Sequence, residues 1–132
     1  MNLPQLTKNQ GLVFDVLRRS EQPVSAYTIL DKLRDQGFRA PLQVYRALDK
    51  LLEFGLVHRL ESLNAFVACA HPAESCCRHG TVAFAICNSC GHVDEFHDHE
   101  VDHRLEAFTK ARRFKPEKTT IEIRGLCAAC AA

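Results

Sequence analysis

The chain has 132 residues, of which 46% are hydrophobic and 25% charged, with a formal net charge of +1. That apolar content supports one ordinary domain or two small ones and excludes a disordered tail. A balance so near neutral carries no bulk signal for a nucleic-acid partner, so any such reading has to rest on local pattern.

The opening "MNLPQLTKNQ" lacks a basic stretch followed by an apolar run, and the longest apolar run, Val82–Cys87, falls far short of the roughly 20 residues that cross a bilayer. We therefore expect a soluble, cytoplasmic protein with no membrane partner. Residues 1–55 read as three helices. Thr7 can cap a segment in which Leu12, Val13, Val16 and Leu17 share a face; Ser25 can cap another with Ala26, Ile29, Leu30 and Leu33 inward. The third fits residues 41–54, with Pro41 in its first turn, Val44, Ala47, Leu48 and Leu51 on one stripe, and Gly55 placed to end it. Two strand-like runs follow in "LVHRLESLNAFVAC", around a turn at Ser62, Leu63 and Asn64. Three helices and a hairpin, in that order, predict a winged helix-turn-helix over residues 1–69.

Residues 70–81, with Pro72 and Gly80, read as a hinge or linker. Residues 82–132 read as a small α+β domain: a buried strand at Val82–Cys87, a second at 92–96, a helix with Val101, Leu105 and Phe108 on one face, and a last strand in "TTIEIR". If Phe96 packs in the core, strand parity turns Glu95 the other way.

Seven cysteines, an odd number, are poor disulfide material in a reducing compartment. Four of them form two Cys-x-x-Cys pairs, Cys87 with Cys90 and Cys127 with Cys130, 36 residues apart. Two such turns supply the four-thiolate tetrahedron of a structural zinc, whereas a thioredoxin-like redox site needs one pair at a helix start. A closed site of this kind has no open coordination position and argues against catalysis there. A second, less regular set of donors comprises His58, Cys69, His71, Cys76, Cys77, His79, His92, Glu95, His97, His99 and His103. For any one histidine, solvation is the ordinary fate; together they can converge where the two halves meet. His99 and His103, at i, i+4 on a helix, suggest with His97 a possible third metal site.

"LTKNQGLVFDVL", "QVYRALDKLLEFGLVHRLESLNAFVAC", "ICNSCGHVDEF" and "GLCAAC" resemble the ferric uptake regulator family, and most closely its zinc uptake regulator branch. The likeness runs from about Leu6 to Cys130. It implies a homodimer with a winged-helix DNA-binding domain, a C-terminal dimerisation domain, and two zinc ions per subunit, one structural and one regulatory. The branch's regulatory ligands fall on His58, Cys69, His79 and Glu95. The His-rich run and last-strand histidine common in iron-responsive relatives are replaced by "RHGTVAFAIC" and by Lys118, Thr119 and Thr120. Cys76 and Cys77 have no clear counterpart.

In a winged helix-turn-helix the third helix enters the major groove. Gln43 and Arg46 then project outward with Tyr45 at the flank, and the resemblance points to the same Tyr45–Arg46 pair; Arg39 and Lys8 are candidate phosphate contacts, with a solvated face as the plain alternative. The expected function is a zinc-dependent repressor of genes for zinc uptake and homeostasis, acting on a double-stranded operator that is an inverted repeat. It needs no small-molecule substrate. Three alternatives remain open: an iron- or peroxide-responsive regulator of the same family, against which the Cys69 thiolate speaks; an enzyme using the second metal as a Lewis acid, for which four protein ligands leave no open position; and a zinc-binding module with no DNA role.

Overall fold

In the computed structural model, which describes residues 5–69 and 81–132, the chain divides into two units, Met1–Ala73 and Glu74–Ala132. The expected linker ligand His79, together with His71, Cys76 and Cys77, lies outside the described residues.

The first unit begins with α1 (Lys8–Arg19), started by a reciprocal capping box: the Gln10 N–H donates to Thr7 Oγ1 at 3.2 Å and the Thr7 N–H to Gln10 Oε1 at 3.1 Å. Helix α2 (Ala26–Leu33) is capped by Ser25, whose hydroxyl accepts the Thr28 N–H at 3.2 Å. A 3-10 turn, Arg34–Gln36, then ends at Gly37, whose φ of 96° only glycine adopts freely. Helix α3 (Pro41–Glu53) starts differently. Its N-cap Ala40 has no side-chain acceptor, so Gln43 reaches back, and its Oε1 accepts the N–H groups of Arg39 at 2.6 Å and Ala40 at 3.0 Å.

The apolar stripes of these helices meet as expected. Val13, Leu17, Ile29, Leu30, Val44, Leu48 and Leu51 are all buried in one cluster with Phe38, Leu56, Val57 and Phe66. Each such side chain contributes on the order of 1.5–3 kcal/mol of transfer free energy. Strands β1 (Val57–Leu60) and β2 (Ala65–Ala68) form the antiparallel hairpin, with Asn64 in the left-handed turn position at φ 48° and held by Arg59 Nη2 at 2.8 Å. Val24 and Phe66 exchange backbone hydrogen bonds at 3.0 and 2.8 Å, which ties the start of α2 to the hairpin.

In the second unit, β3 (Val82–Cys87) is the middle strand of three. β4 (Val93–Phe96) pairs with it antiparallel and β5 (Thr120–Gly125) parallel, the latter after the crossover helix α4 (His99–Ala111). A four-residue helix, α5 (Ala128–Ala131), follows. Among the described residues, every buried apolar side chain of this unit lies on β3. Helix α4 buries none. The strand parity expected for β4 holds, because Glu95 and Phe96 face opposite ways, but the core side is reversed: Glu95 is half-buried and Phe96 is 41% exposed. The physical reason is that β4 is an edge strand and, among the described residues, no apolar layer covers Phe96. Phe108, Phe114, Ile123 and Leu126 are likewise exposed, at 54%, 65%, 53% and 58%.

Candidate metal centres and nucleic-acid interface

The four paired cysteines converge because of the parallel pairing. Parallel neighbours end at the same edge of a sheet, and the register sets Cys87 opposite Gly125, two residues before Cys127. The Asn88 N–H donates to the Gly125 carbonyl at 2.7 Å and clamps the two turns together. Gly91, at φ 78°, closes the first Cys-x-x-Cys turn, with its N–H on the Cys87 carbonyl at 3.1 Å. The four sulfurs lie within 4.8 Å of one another, and Cys90 and Cys127 are 3.8 Å apart. A tetrahedron of about 2.3 Å zinc–sulfur bonds has an edge of about 3.8 Å, whereas a disulfide would need about 2.05 Å. The donor set and spacing fit zinc.

Electrostatics prepare the first thiolate and resist the last. Backbone N–H groups of Cys90 and Cys127 hold the Cys87 thiol down to about 5. The Ser89 hydroxyl favours ionised Cys130, but the neighbouring sulfurs of Cys127, Cys87 and Cys90 outweigh it and push Cys130 up to about 11. Cys90 is also raised, because the Cys87 and Cys127 sulfurs oppose the lowering by the His92 backbone. Without a cation the four thiolates repel; a divalent ion supplies the missing charge.

In the first unit His58 stands opposite Val67 in the hairpin ladder, and the Cys69 N–H extends that ladder by donating to the Leu56 carbonyl at 2.8 Å. Residues 67 and 69 point to one face of the strand, so Cys69 is the diagonal neighbour of His58. Their donor atoms lie within 4.8 Å, and Cys69 is 6% exposed. Glu95 sits on β4 of the second unit.

Of the three histidines expected to cluster beyond β4, the structure joins two. His97 and His99 come together with Asp102, all donor atoms within 4.8 Å, while His103 is exposed and outside the group. The Asp98 cap decides this. Its Oδ1 accepts the N–H groups of Glu100 and Val101 at 2.8 and 3.4 Å and starts α4 so that the first turn carries Asp102 back toward His97. Burial alone would raise the Asp102 carboxyl, but the Thr81 N–H and His97 hold it below its ordinary value. Asp102 was missed in the sequence; its signal is the i, i+3 spacing from His99 on a helix face.

On α3, Arg46 is exposed, Tyr45 is half-buried against the helical core, and Gln43 has its carbonyl oxygen committed to the helix start. Arg39 and Lys8 are exposed. Neither Arg39 nor Arg46, both exposed, makes an ion pair among the described residues.

Two α+β units, one of three helices and a hairpin and the other built around a four-cysteine centre, define the class, and residues 4–124 match the Ferric uptake regulator family: the chain belongs to that family. Its relatives include the zinc uptake regulation protein of Escherichia coli strain K12, 38% identical over 127 residues, which span 96% of this chain and 72% of the relative. The fold is similar to that of holo XcZur, with a TM-score of 0.85 and 44% identity, covering 96% of this chain and 86% of that one. It is also similar to a zinc uptake regulator complexed with zinc and DNA, with a TM-score of 0.89 and 36% identity, covering 96% of this chain and 83% of that one.

Proposed function

We propose that the protein is a zinc-responsive, DNA-binding transcriptional regulator that represses genes of zinc uptake when zinc is bound. The carrying observation is the buried Cys69 thiol beside the His58 imidazole on the hairpin. A thiolate in a sensing site selects zinc over hard cations and sets the chain apart from sensors that rely on nitrogen and oxygen donors. His79 and Glu95 complete a tetrahedral set of one sulfur, two imidazoles and one carboxylate. A second zinc, bound by Cys87, Cys90, Cys127 and Cys130, is structural, since four thiolates leave no position for a substrate. Both relatives described above as zinc uptake regulators support the choice of metal.

In this reading the first unit is a winged helix-turn-helix. Arg46 reads a base edge or grips a phosphate, Tyr45 contacts the backbone or a thymine methyl, and Arg39 and Lys8 hold phosphates. Gln43 is the weakest member, because its oxygen already caps the helix and only its amide nitrogen is left to donate. The second unit is the dimerisation domain. Its exposed Phe96, Phe108, Phe114, Ile123 and Leu126 are the apolar surface that a second copy would cover. A homodimer on an inverted-repeat operator follows from two-fold symmetry.

The regulatory ligands come from both units in sequence, so zinc occupancy and DNA affinity are linked. If zinc raises DNA affinity, DNA must raise zinc affinity by the same factor, typically about 1–3 kcal/mol, or roughly 5–150-fold. The test is a zinc competition titration with and without a DNA fragment selected by the zinc-loaded protein from a random pool. Wild type should bind its second zinc more tightly on DNA. Cys69→Ser should remain a folded protein with its structural zinc and lose the coupling. Equal zinc affinity with and without DNA, or normal coupling in Cys69→Ser, would overturn the assignment. Arg46→Ala should cost about 1–3 kcal/mol on the selected fragment and far less on random DNA; equal loss on both would make Arg46 a phosphate contact.

A further inference from the structure

We propose that His97, His99 and Asp102 form a third divalent-metal site, with nitrogen and oxygen donors only, at the corner between β4 and α4. Two imidazoles and one carboxylate suit zinc and leave a fourth position for water. The set takes nothing from the segment before the first cysteine pair and nothing from β5, and it does not depend on the proposed sensor.

The corner is organised before any ion arrives. Asp102 Oδ1 accepts the Thr81 N–H at 2.7 Å, while Oδ2 faces His97 Nε2 at 2.6 Å. One carboxylate oxygen is thus fixed by the backbone and the other aimed at the ligand cluster, which is how outer-shell hydrogen bonds hold metal carboxylates. The side chains of His97 and Asp102 are only 18% and 19% exposed, so water competes weakly. The His99 ring stands edge-on to that of His97, with centroids 5.0 Å apart. Asp98 is spent on capping α4 and is not needed as a ligand.

Geometry is close to what a metal requires. Donors bound at about 2.05 Å to a tetrahedral ion lie about 3.3 Å apart, so His97 and Asp102 have to open by less than 1 Å. On binding, the imidazole proton between them moves to Nδ1 or to solvent and the freed Nε2 lone pair takes the ion. The positive end of the α4 dipole opposes a cation here, and Glu100 and Asp102 in the first turn offset it.

A plainer role for the pair is a hydrogen bond tying the end of β4 to α4. His99 separates the two roles, because the His97–Asp102 bond does not use it and it lies on the surface. The experiment is equilibrium dialysis of the full chain against zinc, and then cobalt, comparing wild type with His99→Ala, Asp102→Asn and His103→Ala. Wild type should bind one ion per chain more than His99→Ala and Asp102→Asn, and the same number as His103→Ala. The cobalt ion lost should lack thiolate charge-transfer absorption, since no sulfur is in the set. A His99→Ala protein that binds as many ions as wild type overturns the proposal. So does loss of an ion that carries the thiolate band. If Asp102→Asn does not fold, His99→Ala alone decides.

Discussion

The first unit packs three helices and a hairpin around a continuous apolar cluster, while the second arranges three strands and a long helix around the side chains of one strand. Leu48 and Leu51 on α3 are fully buried; on α4, a helix of the same length, no side chain is. The sequences of these two helices both carry apolar stripes, so the difference lies in what the stripe meets. In the first unit it meets the same chain. In the second, stability has to come from elsewhere, and the candidates are the four-cysteine centre at the sheet edge and the exposed apolar surface, which the proposed dimer would cover.

That contrast can be broken most forcefully at the sulfurs. Cys127→Ser should unfold the second unit and spare the first, because a four-thiolate zinc contributes on the order of 10–16 kcal/mol in small domains and the strand core is thin. Circular dichroism before and after a strong chelator reads it: loss of sheet signal with helix retained is expected, and unchanged melting of the variant would sink the contrast. Leu48→Ala should do the reverse, costing about 2–5 kcal/mol in the first unit's denaturant transition, a loss of the same size with and without chelator. A charge at Ile123, as Ile123→Lys, should weaken dimers by about 2–3 kcal/mol, the order of one buried aliphatic side chain, while leaving the fold of the separated chain intact. Sedimentation at several concentrations checks this, and unaltered association would place the interface elsewhere. Smallest is Thr7→Ala, which removes one half of the α1 capping box and should cost about 1 kcal/mol, visible only in the first unit's transition.

Much of the first unit was legible because its signals are local. Thr7, Ser25, Pro41 and Gly55 act within a few residues of themselves, and the structure places each at the helix end it was expected to mark. The cysteine pairs were legible as a spacing, and the parallel register explains why they meet. The premise that Phe96 packs in the core did not hold, because an apolar residue leaves the same mark in a sequence whether or not its own chain covers it. Asp102 was overlooked for another reason. Its neighbours depend on where α4 begins, and the Asp98 cap that sets the start has no effect on hydrophobic period. The role of Gln43 was half visible, as a polar residue on the third helix, but its service to the capless Ala40 needs the backbone to be seen.

The parallel pairing of β3 with β5 also has a consequence for biosynthesis. A ribosome releases α1 to β2 early, and that unit holds every contact of its core within a short span of chain, so it can close while translation continues. The second unit cannot do so: β3 waits for β5, and Cys87 and Cys90 wait for Cys127 and Cys130, across β4 and the whole of α4. Closing that long loop is an entropic cost met late and at one moment, when strand pairing and ion capture reinforce each other. We therefore expect nascent chains stalled before Cys127 to carry a protease-resistant first unit and no tightly held four-sulfur zinc, and release of a few further residues to bring both the ion and the sheet. Tight zinc retention on the shorter nascent chain would contradict this order of assembly.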